Sequence, residues 1–322
     1  MPDFIICGAM KCGTSTVHCL LDLHPKIFIP KSEVNFFDID DILQHSDFFF
    51  RLKKKWCVPD ITNDPNLYWD WYSNFFAEAP KNSIIGEDST CYLSSWNAPM
   101  RISLQKKRIK VIICLRHPTK RAYSQYWHML RTGRAIFNFE DTLRYNPHSV
   151  LDRSMYLNQI ENLLMYINKK HVFFFILEEY LSDKKRISRK LFEFLNVSFD
   201  KLPATAFDIH SNKGIIPKNT NLQILKNKIL RGYGNTMYRG KLPYNVPSAK
   251  ISSKITNLLN KLHNKINPII DNKIPEMAPE TKRFLDKLFE RELDGINELI
   301  GSNVIDLWFH KRKRYYGKII NE

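Results

Sequence analysis

The sequence predicts an α/β fold: a P-loop-like open parallel sheet flanked by helices, with a helical C-terminal extension. Three observations carry this. Short continuous apolar runs at 4–6, SIIGE (83–87), KVIICLR (110–116) and VFFFIL (172–177) suit parallel strands covered on both faces. Helical patterns lie between them, at 14–24, 119–132 and 155–168. The first run also passes straight into a glycine-containing loop and a helix, a layout that points backbone N–H groups at an anion.

That opening stretch, FIICGAMKCGTSTVHCLLDLH, carries Gly8, Gly13 and Ser15 where a phosphate-binding loop of the G-x-x-x-x-G-K-[ST] type would have them. The lysine slot holds Thr14 instead, and Lys11 lies inside the loop. The segment KSEVNFFDID follows, and then an aromatic-rich excursion over 41–80 that reads as a cover, either plain packing or the lining of an acceptor pocket. SIIGEDST places Glu87 and Asp88 at a strand end, where a kinase would hold its metal. KVIICLR ends instead in Arg116, a guanidinium suited to clamping a second phosphate directly. On the helix after it, Arg121, Ser124 and His128 fall on one face. Residues 251–308 look helical, with APE (278–280) as a start signal and Gly301 as a stop. The whole, 1–322, reads as one domain: an α/β core over 1–250 and a helical part over 251–322.

The chain has 322 residues, 43% hydrophobic and 25% charged, which fits a folded protein rather than a disordered one. No apolar run reaches the roughly 18 residues of a membrane span, and the first strand starts too early to leave room for a signal peptide. The six cysteines show no C-x-x-C pairing and no zinc-like spacing, consistent with reduced thiols in a cytoplasmic protein. The net charge of +16 favours an acidic partner, and residues 201–250 alone carry nine Lys/Arg against Asp208. A second basic cluster, HKRKRYYGK, occupies 310–318. No RRM, zinc-finger or helix-turn-helix signature accompanies this charge, so nucleic acid is not the expected partner.

Taken together, K-x-G-T-[ST], S-E-V-N-F-F, G-E-D-S-T-x-Y and L-R-x-P-x-x-R-A-Y-S-x-Y resemble the sulfotransferases that use 3′-phosphoadenosine 5′-phosphosulfate (PAPS), above all the carbohydrate and heparan-sulfate type and its bacterial relatives. NKGIIPK (212–218) is similar to the family's K-G loop, and the stretch ending at Trp308 to its C-terminal helix. The resemblance implies that Lys11, Cys12, Gly13, Thr14, Ser15 and Thr16 surround the 5′-phosphosulfate. It implies that Arg116 and Ser124 hold the 3′-phosphate, and that Lys213 and Gly214 close over the cofactor. It gives Lys11 the leaving group, Glu33 the role of general base, and His128 a share of the acid/base work, with no metal. A carboxylate beside Val34, Phe36 and Phe37 would have a raised pKa, as a base needs.

The expected acceptor is a carbohydrate or small natural product, with Glu33, Asp88 and Tyr156 toward it. Two positions depart from the pattern: Asp88 stands where glycan members often carry Lys, and Asn35 where many carry His. They argue against a polyanionic acceptor and for a neutral or cationic one. The rival readings are a P-loop nucleotide or sugar kinase, and a non-enzymatic polyanion-binding protein.

Overall fold

The computed structural model of the chain describes residues 1–52, 54–207, 215–234, 242–244, 250–271 and 273–310. Its centre is a parallel sheet of five strands: β1 (Phe4–Gly8), β2 (Ile27–Phe28), β3 (Ile84–Asp88), β4 (Lys110–Leu115) and β5 (Val172–Ile176). They lie in the order β2-β3-β1-β4-β5. The predicted open parallel sheet is the one the chain forms. Phe4 to Cys7 and Val111 to Leu115 are all fully buried, as continuous apolar strands between two helical layers must be. Each such side chain contributes roughly 1.5–3 kcal/mol by leaving water.

The strand order creates the site. From β1 the chain moves to β2 and β3 on one side, then crosses to β4 and β5 on the other. The connections leaving β1 and β4 therefore diverge, and a crevice opens at the carboxyl ends of those two strands. Helix α1 (Thr14–Asp22) follows β1, and helix α2 (Pro118–Arg131) follows β4. Helix α3 (Tyr156–Tyr166) matches the third helical pattern in the sequence.

The excursion over 41–80 forms a short hairpin, Phe50–Leu52 with Lys55–Cys57, and a helix, Pro65–Asn74. Most of its aromatics pack on the core, while Trp56 is exposed. Tyr68 and Tyr72 are buried, and Tyr72 stacks on Phe36 with ring centroids 4.3 Å apart. The layer thus supports the segment that carries Glu33 from behind. The helical reading of 251–308 is corrected in one place. The helix Lys250–Ile266 stops before Pro268, which lacks an N–H for the helix ladder, and Ile269–Asp271 pairs antiparallel with Ile215–Pro217. The helix Pro279–Glu292 starts at the APE signal, and Ile296–Ile300 stops at Gly301, whose φ is 72°. Among the described residues, no helix is long and apolar enough to cross a membrane.

Candidate active site

The loop from β1 to α1 is built around two left-handed glycines. Gly8 has φ 124°, and a Cβ there would lie 2.5 Å from the Thr90 carbonyl oxygen. Gly13 has φ 91°, and a Cβ there would meet Leu177 at 2.9 Å. Both positions admit only glycine without movement of the backbone or a core side chain. The Ala9 N–H donates to the Cys114 carbonyl (2.8 Å), keeping the loop against β4. Past it, the N–H groups of Lys11, Gly13, Thr14 and Ser15 find no acceptor among the described residues. Unpaired donors at the start of a helix with no acidic residue in its first turn make an anion cradle.

The loop is tied from behind by α2 and α3. Arg121 is fully buried, and its Nε donates to the Met10 carbonyl (3.0 Å) while Nη1 reaches the Val150 carbonyl (3.1 Å). Burial pulls its pKa down to about 10, so it stays charged at neutral pH. Tyr156 is also fully buried, and its hydroxyl donates to the Arg116 carbonyl (2.9 Å) and lies 3.4 Å from Cys12 Sγ. The His117 N–H, next to Arg116, donates to Glu178, which also accepts from Trp308 Nε1 (3.1 Å each). Arg116 is half-buried, with Nη1 3.4 Å from the Lys11 carbonyl. The end of β4 is thereby fixed beside the cradle.

Lys11 acts electrostatically on both Glu33 and His128. Burial and the charges of Arg131 and Arg121 depress the Lys11 pKa to about 8, while Glu33 opposes that shift. Burial, then Lys11, Arg131 and Arg134, depress His128 to about 3, so its imidazole is neutral at pH 7. Glu33 Oε1 accepts from the Thr90 hydroxyl (3.0 Å). A loop cation is thus within electrostatic reach of a carboxylate and of a neutral imidazole. Such a set can stabilise charge on a leaving group and take a proton from an incoming hydroxyl or amine.

The family described as sulfotransferase domain matches residues 1–297. The chain belongs to the sulfotransferase family. Over 159 residues this sulfotransferase is 30% identical to the human bifunctional heparan sulfate N-deacetylase/N-sulfotransferase 2, covering 48% of this chain and 15% of that protein. Over 185 residues it is 27% identical to human heparan sulfate glucosamine 3-O-sulfotransferase 5, covering 53% and 47%. The chain spans less than half the length of these curated relatives. A crystal structure of a sulfotransferase from Alicyclobacillus acidocaldarius aligns over 96% of this chain and 98% of its own. Its TM-score is 0.61 at 22% identity, a likeness of fold.

Several residues singled out in the sequence have other positions or duties in this sulfotransferase. Cys12 is fully buried with its N–H given to the Ala9 carbonyl (3.2 Å), and burial pushes its thiol up to about 11. It shapes the loop rather than facing an anion. Tyr156 belongs beneath the cradle, not toward an acceptor. Asp88 is 7% exposed, and its Oδ2 lies 3.2 Å from His18 Nδ1. Burial disfavours the His18 charge, but Asp88 outweighs it and raises the pKa. This pairing turns one Asp88 oxygen toward His18. Asn35 has φ 55°, a left-handed conformation that Asn tolerates better than most residues. Thr14 is buried, Ser15 exposed, and Thr16 and Ser124 half-buried. Lys213, Gly214 and the cluster beyond His310 lie outside the described residues.

Sequence reasoning missed Arg131, whose Nη2 lies 3.5 Å from His128 Nδ1 and whose charge reaches Lys11. Its position three residues past His128, on the same helical face, was the available signal. Glu87 was considered only as a metal ligand. It is fully buried and accepts hydroxyl bonds from Tyr72 (2.6 Å), Ser89 (2.8 Å) and Tyr92 (2.6 Å). Burial raises its pKa to about 7 against the pull of those three donors.

Proposed function

We propose that this sulfotransferase moves a sulfuryl group from PAPS to a hydroxyl or amine of a sugar or small natural product. Glu33 is the general base, and Lys11 stabilises the leaving group. The observation that carries this reading is the β1–α1 loop, whose N–H groups of Lys11, Gly13, Thr14 and Ser15 lack acceptors among the described residues, with the Arg116 guanidinium 3.4 Å from the Lys11 carbonyl at the neighbouring strand end. The residues fit the donor: the N–H groups of Gly13, Thr14 and Ser15 would hold its 5′ end, and Arg116 with Ser124 its 3′-phosphate. When bound, the donor supplies a sulfuryl group whose departure leaves negative charge on a bridging oxygen.

Lys11 offers a half-buried ammonium to that oxygen, where a fixed cation in a water-poor site is worth more than in bulk solvent. Glu33 takes the proton of the attacking group. Its Thr90 bond fixes one carboxylate oxygen. His128, neutral and beside Lys11, orients the acceptor by a hydrogen bond and ranks second to Glu33 as a base, because surrounding cations make its protonation costly. With Asp88 paired to His18, the cations Lys11 and Arg131 dominate the acceptor side, which supports a neutral or anionic acceptor. Six free cysteines support a reducing, cytoplasmic setting.

The kinase alternative loses its metal ligands. Glu87 is committed to three hydroxyls and Asp88 to His18. Asp38, His45 and Cys91 bring three potential ligand atoms within 4.8 Å of one another. There, however, the Arg153 guanidinium already lies 3.6 Å from Cys91 Sγ, a fixed cation where a metal would need to approach. Turnover is therefore expected to survive EDTA, and loss restored by Mg²⁺ would favour the kinase.

The test of the nucleotide assignment is titration calorimetry with adenosine 3′,5′-bisphosphate and adenosine 5′-phosphate. Wild type is expected to prefer the bisphosphate by one to two orders of magnitude, as a charge-assisted contact of roughly 1.5–3 kcal/mol implies. Arg116→Ala should erase most of that preference. If the variant discriminates as well as wild type, Arg116 does not hold the 3′-phosphate.

A further inference from the structure

We propose that Glu87 is a positioning residue for Glu33, acting through the hydroxyls of Ser89 and Tyr92; the inference rests on the role of Glu33 as base. Glu33 lies in a segment, 33–37, that belongs to no helix or strand. Irregular backbone of this kind must find its hydrogen-bond partners elsewhere. Here three of its N–H groups find acceptors on the last residue of β3 and the stretch that follows it. The Val34 N–H donates to the Asp88 carbonyl (3.3 Å), the Asn35 N–H to Ser89 Oγ (2.9 Å) and the Phe37 N–H to Tyr92 Oη (3.0 Å). The Thr90 hydroxyl donates to the Glu33 carboxylate itself.

Two of these acceptors are hydroxyls, which rotate and can equally donate. What makes them dependable acceptors is Glu87. Oε1 of Glu87 only accepts, whether the group is ionised or carries a proton on Oε2, so the single hydrogen of Ser89 Oγ and that of Tyr92 Oη both point at it. Their lone pairs are left for the amides of Asn35 and Phe37. The other oxygen, Oε2, takes the hydroxyl of Tyr72, whose ring stacks on Phe36. Glu87 thereby holds 33–37 by its backbone on one side and by its aromatic side chains on the other.

A buried apolar residue in place of Glu87 would avoid the cost of burying a charge but would leave three hydroxyls without an acceptor. Among the described residues, Glu87 makes no ion pair with a cation that would otherwise account for it. Asn35 in its left-handed conformation is the strained point of the segment, and strain of that kind persists only where the surroundings over-determine it.

The experiment uses the full-length protein and four variants, each checked for an intact circular dichroism spectrum. Tyr92→Phe and Ser89→Ala delete one acceptor while keeping shape. Glu87→Leu frees all three hydroxyls. Glu87→Gln keeps one acceptor oxygen for Ser89 and Tyr92 and presents its amide to Tyr72. Amide hydrogen exchange over 34–37 is expected to quicken at least tenfold in Tyr92→Phe and Glu87→Leu, with Glu87→Gln retaining most of the protection. In Tyr92→Phe, kcat should fall about tenfold while KM for PAPS stays within twofold, and the fall should vanish in a Glu33→Gln background. Unchanged exchange in Tyr92→Phe overturns the pinning. Faster exchange with unchanged kcat, or a fall that persists fully without the Glu33 carboxylate, overturns the coupling to Glu33. If Glu33→Gln alone leaves kcat intact, the reading of Glu33 as base fails with it, whereas the exchange data still decide the pinning.

Discussion

Glu33→Gln is expected to lower kcat by roughly 10²–10⁴-fold, the contribution typical of a positioned general base. The amide keeps an oxygen for the Thr90 hydroxyl, and the backbone bonds of Val34, Asn35 and Phe37 do not involve the side chain. Folding and nucleotide affinity should therefore be near wild type, so the loss falls on turnover and not on KM for the donor. One secondary effect follows from charge. Glu33 supports the protonated form of Lys11, so its neutralisation should move the Lys11 ionisation further down. The alkaline limb of the residual activity is then expected at lower pH than in wild type. Residual activity within threefold of wild type would remove Glu33 from the chemistry.

Lys11→Ala is expected to cost roughly 3–4 kcal/mol of transition-state stabilisation, a fall of about 10²–10³ in kcat. Here the pH profile is diagnostic. Only the ammonium form can stabilise a departing anion, and in the free enzyme its pKa is lowered by burial, Arg131 and Arg121 to about 8. As pH rises through that value the charge is lost, so kcat/KM should decline on the alkaline side. In the donor complex the bound negative charge favours the ammonium, so the limb in kcat should lie higher than the limb in kcat/KM. Lys11→Arg, which keeps its charge across this range, should abolish the alkaline limb at reduced rate. A limb unchanged by that substitution would belong to another group.

Much of this was written in local pattern. The four strands that end near the cradle, the helices after β1 and β4, and the displaced lysine were visible because each depends on neighbours within a few residues. The helical start at Pro279 and stop at Gly301 were visible for the same reason. What stayed hidden is the pairing of polar groups far apart in sequence. His18 and Asp88 are 70 positions apart, Tyr156 and Arg116 are 40 apart, and Arg121 reaches Met10 across 111. No periodicity records such contacts. They decide whether a carboxylate or phenol faces a substrate or closes a core bond, and so the full burial of Tyr156 and the pairing of Asp88 with His18 were not legible. The break before Ile269 is similar, since the antiparallel partner that makes it a strand lies more than fifty residues upstream.

The central claim is that the β1–α1 loop and Arg116 hold opposite ends of one nucleotide. A crystal structure with adenosine 3′,5′-bisphosphate tests it most directly. The predicted result has the 5′-phosphate on the N–H groups of Gly13, Thr14 and Ser15, Lys11 turned toward it, and the 3′-phosphate on Arg116 and Ser124. A 3′-phosphate left in solvent, or a divalent cation bound between the loop and Arg116, would contradict it.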